Sequence, residues 1–229
     1  MRSRVLLVST LASVLLLVAE TFALGEAPTD RFSGEEIVTW FAGHGVNARL
    51  YAWLLIAFVP AFAAFAALVR RRLPAPHRDM FFVGTIAILA ETAVSTWFWA
   101  GLAWHPDQLS PPVARVLLDV ASFWGPVING ATITMLAPVV ALSWGQDALL
   151  PRWLGVLGTV TLGEQVVESV ATIFGTSGFA APGGPMNLML GAGLVTGWVL
   201  CLGLVLARRP DLGGPTTPSD QASAVPAAG

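Results

Sequence analysis

Residues 50–69 read LYAWLLIAFVPAFAAFAALV, a stretch without one charged side chain, and Arg70-Arg71-Arg72 follows at once. A helix needs about 20 mostly apolar residues to cross the hydrocarbon core of a bilayer. A run of that length ending on arginines has the form of a span anchored at a membrane face. Five further segments are mostly apolar over a similar length, at roughly 5–24, 80–103, 123–144, 153–174 and 186–207. The fold class expected is therefore all-α, a polytopic transmembrane helix bundle of six spans over residues 1–209.

Composition agrees. Of 229 residues, 55% are hydrophobic and only 11% charged, and the mean hydropathy is +0.71. Soluble domains carry about 25% charged residues, and one core of ~200 residues cannot hide this much apolar surface from water. The net charge of −2 gives no field for a polyanion, so nucleic acid is not an expected partner. Cys201 stands alone, which leaves no internal disulfide and no cysteine-based metal cluster. All twelve basic residues are arginine, so no lysine exists to form a retinal Schiff base. His44, His77 and His105 all fall between spans, which closes bis-histidine haem ligation inside the bilayer. His44 and His105, far apart in sequence, read as solvated loop residues rather than metal ligands. No cofactor and no metal are expected. Arginine without lysine, amid abundant Ala, Gly, Val and Pro, has the look of a high-GC bacterial genome.

An even number of spans puts both termini on one side, and arginine chooses the side. Arg2, Arg4, Arg70, Arg71, Arg72, Arg78, Arg152, Arg208 and Arg209 share one face, against Arg31, Arg49 and Arg115 on the other. The positive-inside rule makes the first face, with both termini, cytoplasmic, and the expected location is the bacterial inner membrane. Residues 1–25 can also be read as a secretory signal, but an apolar run of about 19 residues exceeds the 7–15 of a signal core, which favours a retained helix. Trp40, Trp53, Trp104 and Trp124 fall toward the outer interface and Trp144 and Trp153 toward the inner one. Trp198 is placed in the core.

Two outer segments are amphipathic. Ser33-Gly34-Glu35-Glu36 has a capping-box pattern, with Ile37, Trp40, Phe41 and His44 at helical spacing before Gly43 and Gly45. This helix, 33–44, either lies on the outer membrane surface or plugs the outer end of the bundle. In the second, 112–122, Arg115 and Asp119 pair at i,i+4, and the helix is expected to run into span four with a kink near Pro126. The tail, 210–229, is rich in Pro, Ala, Ser, Thr and Gly and reads as disordered. No internal repeat is evident.

Four carboxylates interrupt the spans: Glu20, Glu91, Glu164 and Glu168. At 1.5 Å per residue, Glu91 and Glu164 lie about 17 Å from the cytoplasmic ends of their helices, near the midplane. Thr161, Glu164, Gln165, Glu168 and Thr172 form one polar stripe on span five. Span three adds Glu91 and Ser95, span four Asn129 and Thr132, and span one Ser9, Ser13 and Glu20. Spans one, three, four and five are therefore expected to surround a polar interior, with span two, which lacks polar side chains from Ala52 to Val69, facing lipid. A charged acid at mid-bilayer costs about 2.5–3.5 kcal/mol even on the lenient insertion scale. Without a basic partner, Glu91 and Glu164 are expected to be neutral acids that donate hydrogen bonds. Glu164, Glu168, Glu91, Gln165, Asn129 and Glu20 are the candidate binding residues, for a proton or a small cation. No catalytic residue is assigned. Gly193 and Gly197 form a GxxxG pair in span six, a possible route to a homo-oligomer.

The run Leu150-Pro151-Arg152-Trp153-Leu154-Gly155-Val156-Leu157-Gly158 resembles a motif of uncharacterised polytopic membrane proteins of bacteria, actinobacteria above all, grouped as domain-of-unknown-function families. The acidic helix from Glu35 to His44 and the arginine cluster after span two are similar as well, so the likeness covers most of residues 5–207. It implies a multi-pass membrane protein and brings no activity or catalytic residues. Physically, Pro151 suits the first helical position, Arg152 anchors at the inner face, and Trp153 sits at the interface.

Three functions compete. A structural or partner-binding membrane protein predicts a dry interior and an interhelical groove or surface patch. A small proton- or cation-linked transporter predicts a polar, water-accessible cavity among spans one, three, four and five. A lipid enzyme needs a nucleophile–base pair or metal ligands near an interface, and with no intramembrane His, no Ser–His pairing and no HExxH, it has the least support. The first is the reading the sequence favours.

Overall fold

A computed structural model describes residues 2–25, 27–175 and 177–209; the tail from 210 onward, read above as disordered, lies outside the described residues. All regular structure among them is helical: α1 (Arg2–Leu24), α2 (Gly34–Arg70), α3 (His77–Trp104), α4 (Pro111–Ser122), α5 (Trp124–Ala141), α6 (Arg152–Phe174) and α7 (Ala192–Arg208). A six-residue π-helical turn, Met186–Gly191, leads into α7. Five stretches are long and apolar enough to cross a membrane: α1, α2, α3, α4 with α5, and the π turn with α7. The sixth expected span, α6, has the 23 residues it needs but is not among them, because Glu164, Gln165 and Glu168 interrupt its apolar run.

Six helices close into a ring by contact, in the order α1, α2, α3, α5, α6, α7 and back to α1. Each sends apolar side chains to a common core. Leu6 comes from α1, Phe58, Phe62 and Phe65 from α2, Phe81 from α3, Met135 from α5, Leu154 from α6, and Trp198 and Leu202 from α7. Trp198 is completely buried, as its core placement required. Glycines set the closest approaches. A Cβ on Gly84 of α3 would come within 2.8 Å of Ala131 O and Met135 Cα on α5. A Cβ on Gly203 of α7 would meet the Thr10 side chain of α1. Gly193 and Gly197 instead face open space, so the GxxxG pair takes no part in packing within the chain.

The expectation that span two faces lipid is wrong. Phe58, Phe62, Phe65, Ala66 and Val69 of α2 are all at most 3% exposed and lie in the core. Absence of polar groups says only that a helix needs no polar partner; an apolar face packs on helices as readily as on acyl chains. The serines of α1 mislead in the opposite sense. Ser9 and Thr10 donate to Leu6 O, and Ser13 to Ser9 O. Each hydroxyl is satisfied within its own helix, and none requires a polar interior.

One end of the bundle is tied by Arg72, which donates to Leu206 O of α7 and, at 3.3 Å, to Ser3 Oγ of α1. Arg209 reaches Leu149 O in the α5–α6 turn at 3.1 Å. The start of α1, the end of α2, the α5–α6 turn and the end of α7 thus share one end, the arginine-rich one. At the other end, Asn47 donates to Ala23 O and Arg49 to Ala103 O.

That second end is capped. Ser33 caps α2 with the expected box: Ser33 Oγ accepts from Glu36 N, and a Glu36 oxygen accepts from Ser33 N at 2.6 Å. The amphipathic segment is not a separate helix but the first third of α2, bent at His44 (φ −120°, ψ 19°) and continuous with the span. Ile37, Trp40 and Phe41 are buried against Trp99, Leu102 and Leu118, so the segment plugs the bundle end. Arg115 of α4 pairs with Asp119 as expected and also donates to the carbonyls of Asp30 and Phe32. The break between α4 and α5 falls at Phe123, three residues ahead of Pro126. Gly178, at φ +82°, closes the cap by donating its N–H to Asp30 Oδ2 at 3.1 Å.

Candidate functional site

α6 begins after Pro151, which stands one residue ahead of the first helical position. Gly155 and Gly158 follow on its inward face. A Cβ at Gly155 would meet Ser143 Cβ at 2.6 Å, and one at Gly158 would meet Trp198 Nε1 at 2.7 Å. The two glycines of the Leu154–Gly158 run therefore let α6 press against the end of α5 and against α7. That contact fixes the rotation of α6 and carries its polar stripe inward.

About two and three turns further, Glu164, Gln165 and Glu168 are 9%, 2% and 2% exposed. They face Asn129 of α5, 1% exposed, and the π turn, where Asn187 is 6% exposed. Both Asn129 and Asn187 approach the Glu168 carboxyl. Gly191 completes the enclosure: a Cβ there would stand 3.1 Å from Gln165 Nε2, Glu164 Oε2 and Glu168 Oε2 alike. Gly125 makes room for Asn187, since a Cβ at that position would overlap its amide. The π turn brings Asn187 and Gly191 to the cluster together, and such turns recur at functional sites.

Hydrogen bonding within the cluster is incomplete. Gln165 Nε2 donates to Glu164 Oε2 at 2.7 Å. Glu164 Oε1, both oxygens of Glu168 and both amide atoms of Asn129 are buried short of well-formed hydrogen bonds, although Asn129 and Asn187 stand close enough to Glu168 to pair with it. The threonines of the stripe are already satisfied. Thr161 donates to Leu157 O and Thr172 to Glu168 O, both at 2.9 Å. No arginine is paired with either acid among the described residues.

Of the six candidates, Glu164, Gln165, Glu168 and Asn129 are brought together. Glu91 and Glu20 are not. Glu91 lies across α5, in a groove lined by Trp124 and Val127, while Asn129 and Thr132 occupy the opposite face of that helix. Glu20 sits where α1 meets α2, beside Thr21 and the Tyr51 hydroxyl. Asn187 and Gly191 are the members that sequence reasoning missed. Asn187 is the one amide side chain between Gln165 and Arg209, and that was the signal available.

Two carboxyls facing two amides offer only oxygen as electron-pair donor, which suits protons or a hard cation. Among the described residues no group of three His, Cys, Asp or Glu is placed to hold a metal ion. The low carboxylate count favours a single positive charge over a multivalent one. No protein-family model matches this chain, and no curated protein or solved structure matches it either.

Proposed function

We propose that this chain is a multi-pass protein of the bacterial cytoplasmic membrane, both termini cytoplasmic, that works as a small proton- or cation-linked permease rather than as an enzyme. The observation that carries this reading is the enclosed cluster in which Glu164 and Glu168 are buried with Gln165, Asn129 and Asn187 and with no basic partner among the described residues. Intramembrane acids mark ion and proton pathways more often than packing devices. Here the resting acids hold protons, and an incoming cation displaces them. The arginine-rich end supports the orientation.

Infrared difference spectroscopy on the reconstituted protein tests it. Wild type should show a protonated carboxyl C=O band beyond that of Glu20 and Glu91, absent from the Glu164→Gln/Glu168→Gln variant. Alkaline titration, or a cation from a panel of sodium, potassium and lithium, should diminish that band. A band that none of these treatments changes would overturn the proposal.

A second reading, a structural or partner-binding membrane protein, draws on the close-packed apolar centre of the ring. It predicts the same band, inert to every treatment.

A further inference from the structure

On the lipid side of the ring, α3, α4 and α5 diverge around a groove of about 560 Å³. That volume lies within the range of drug-sized ligand sites, about 300–1,000 Å³. Its walls include Val94, Phe98, Phe123 and Trp124, with Glu91 and Asp119 as its carboxylates.

The two acids differ. Asp119 is already balanced, since Arg115 donates to both of its oxygens. Glu91 has no ion-pair partner among the described residues, and its Oε2 is buried without a hydrogen bond. The groove therefore presents one uncompensated acid between apolar and aromatic walls. An acyl chain would fill the walls and leave Glu91 unmet. An inorganic cation would meet Glu91 and leave the walls bare.

We propose that this groove binds a lipophilic amine, a basic nitrogen on a compact apolar body, entering sideways from the bilayer. Arriving from the bilayer as the free base, the nitrogen takes the Glu91 proton, and the resulting ammonium donates to the carboxylate. The faces of Phe98, Phe123 and Trp124 are attractive surfaces for the cation's charge, and the apolar body replaces lipid against Val94. The site shares no residue with the Glu164–Glu168 cluster and does not depend on the permease reading.

The test is saturable binding of radiolabelled 1-aminoadamantane to the full chain in nanodiscs of neutral phosphatidylcholine, with 1-adamantanol as uncharged competitor. The amine should bind saturably, and the alcohol should not displace it at matched concentration. Glu91→Gln should weaken binding by at least about tenfold, the scale of a lost charge-assisted hydrogen bond. Ala90→Trp, which fills the groove and keeps Glu91, should abolish binding. Thermal stability of both variants reports their folding. Glu164→Gln/Glu168→Gln should bind as wild type does. Three results overturn the proposal: no saturable binding, equal displacement by the alcohol, or unchanged affinity in Glu91→Gln. Equal displacement by the alcohol would assign the groove to neutral lipid, and no saturable binding would leave it to a partner helix.

Discussion

In the second half of α2, Phe58, Phe62 and Phe65 stack with ring centroids 4.9 and 5.4 Å apart, each residue at most 3% exposed. Midway along α6, Glu164, Gln165 and Glu168 are also buried, yet they leave hydrogen-bonding capacity unused. Both helices belong to one ring, and both turn these faces inward. In α2 burial is its own reward, because every ring carbon gains packing and no polar group is stranded. In α6 burial opposes the chemistry of the side chains, and helix contacts made elsewhere must impose it. The stability of this protein should therefore reside in the first region and its ligand response in the second.

The widest separation is expected between Phe65→Ala and Glu168→Gln. Removing a fully buried phenylalanine leaves a cavity and should cost about 3–5 kcal/mol. Replacing an acid with unmet oxygens by an amide of the same shape should change stability by less than about 1 kcal/mol. Reversible unfolding in mixed micelles measures both. A loss at Glu168→Gln as large as that at Phe65→Ala would mean that the carboxyl is a structural bond, and the contrast would collapse.

Glycine substitutions sharpen the same comparison at smaller scale. At Gly84 the obstacle is α5 backbone, which cannot step aside, so Gly84→Ala should cost about 1–3 kcal/mol. At Gly191 the obstacles are the far ends of Gln165, Glu164 and Glu168, which can swing. Gly191→Ala should thus be milder in unfolding than Gly84→Ala. It should nonetheless blunt the infrared response of the carboxyls to cations, because the new methyl displaces the very atoms that respond. If that response is untouched, the π turn is no part of the site.

The apolar runs, the arginine-rich end, the capping box at Ser33 and the polar stripe on α6 could all be read from residue order. Each is encoded by neighbours on one helix or by charge at a helix end. The grouping of the acids was not legible. Depth follows from counting residues along an axis, but whether two acids meet depends on helix rotation, which close contacts such as those of Gly155 and Gly158 decide. Glu91 and Glu164 were placed at similar depth, yet α5 stands between them, with groove residues on one face and Asn129 on the other. Serine and threonine added false signal, since Ser13 and Thr161 return their protons to their own helices. Asn187 was hidden by position. It sits in a π turn at the head of a span, where neither the 3.6-residue period nor the 2-residue period applies.

The smallest effect is expected at a surface ion pair, where a carboxylate has water as well as a partner. Asp79 Oδ1 lies 2.8 Å from Arg70 Nη2 across the α2–α3 turn. That hydrogen bond is the main reason its carboxyl sits below the ordinary aspartate value of 3.8. A depressed value stabilises the fold above the unfolded-state value, and the contribution fades as pH falls through the folded-state one. Below about pH 4, wild type should therefore lose Tm slightly more steeply than Asp79→Asn. At neutral pH the variant should trail by a small margin, which about 1 M salt removes by screening. The buried acids should give no such salt dependence, because counter-ions do not reach them. If Asp79→Asn instead matched Gly84→Ala in cost, the turn would rank with the core of the ring, and apolar packing would no longer account for the stability of the bundle.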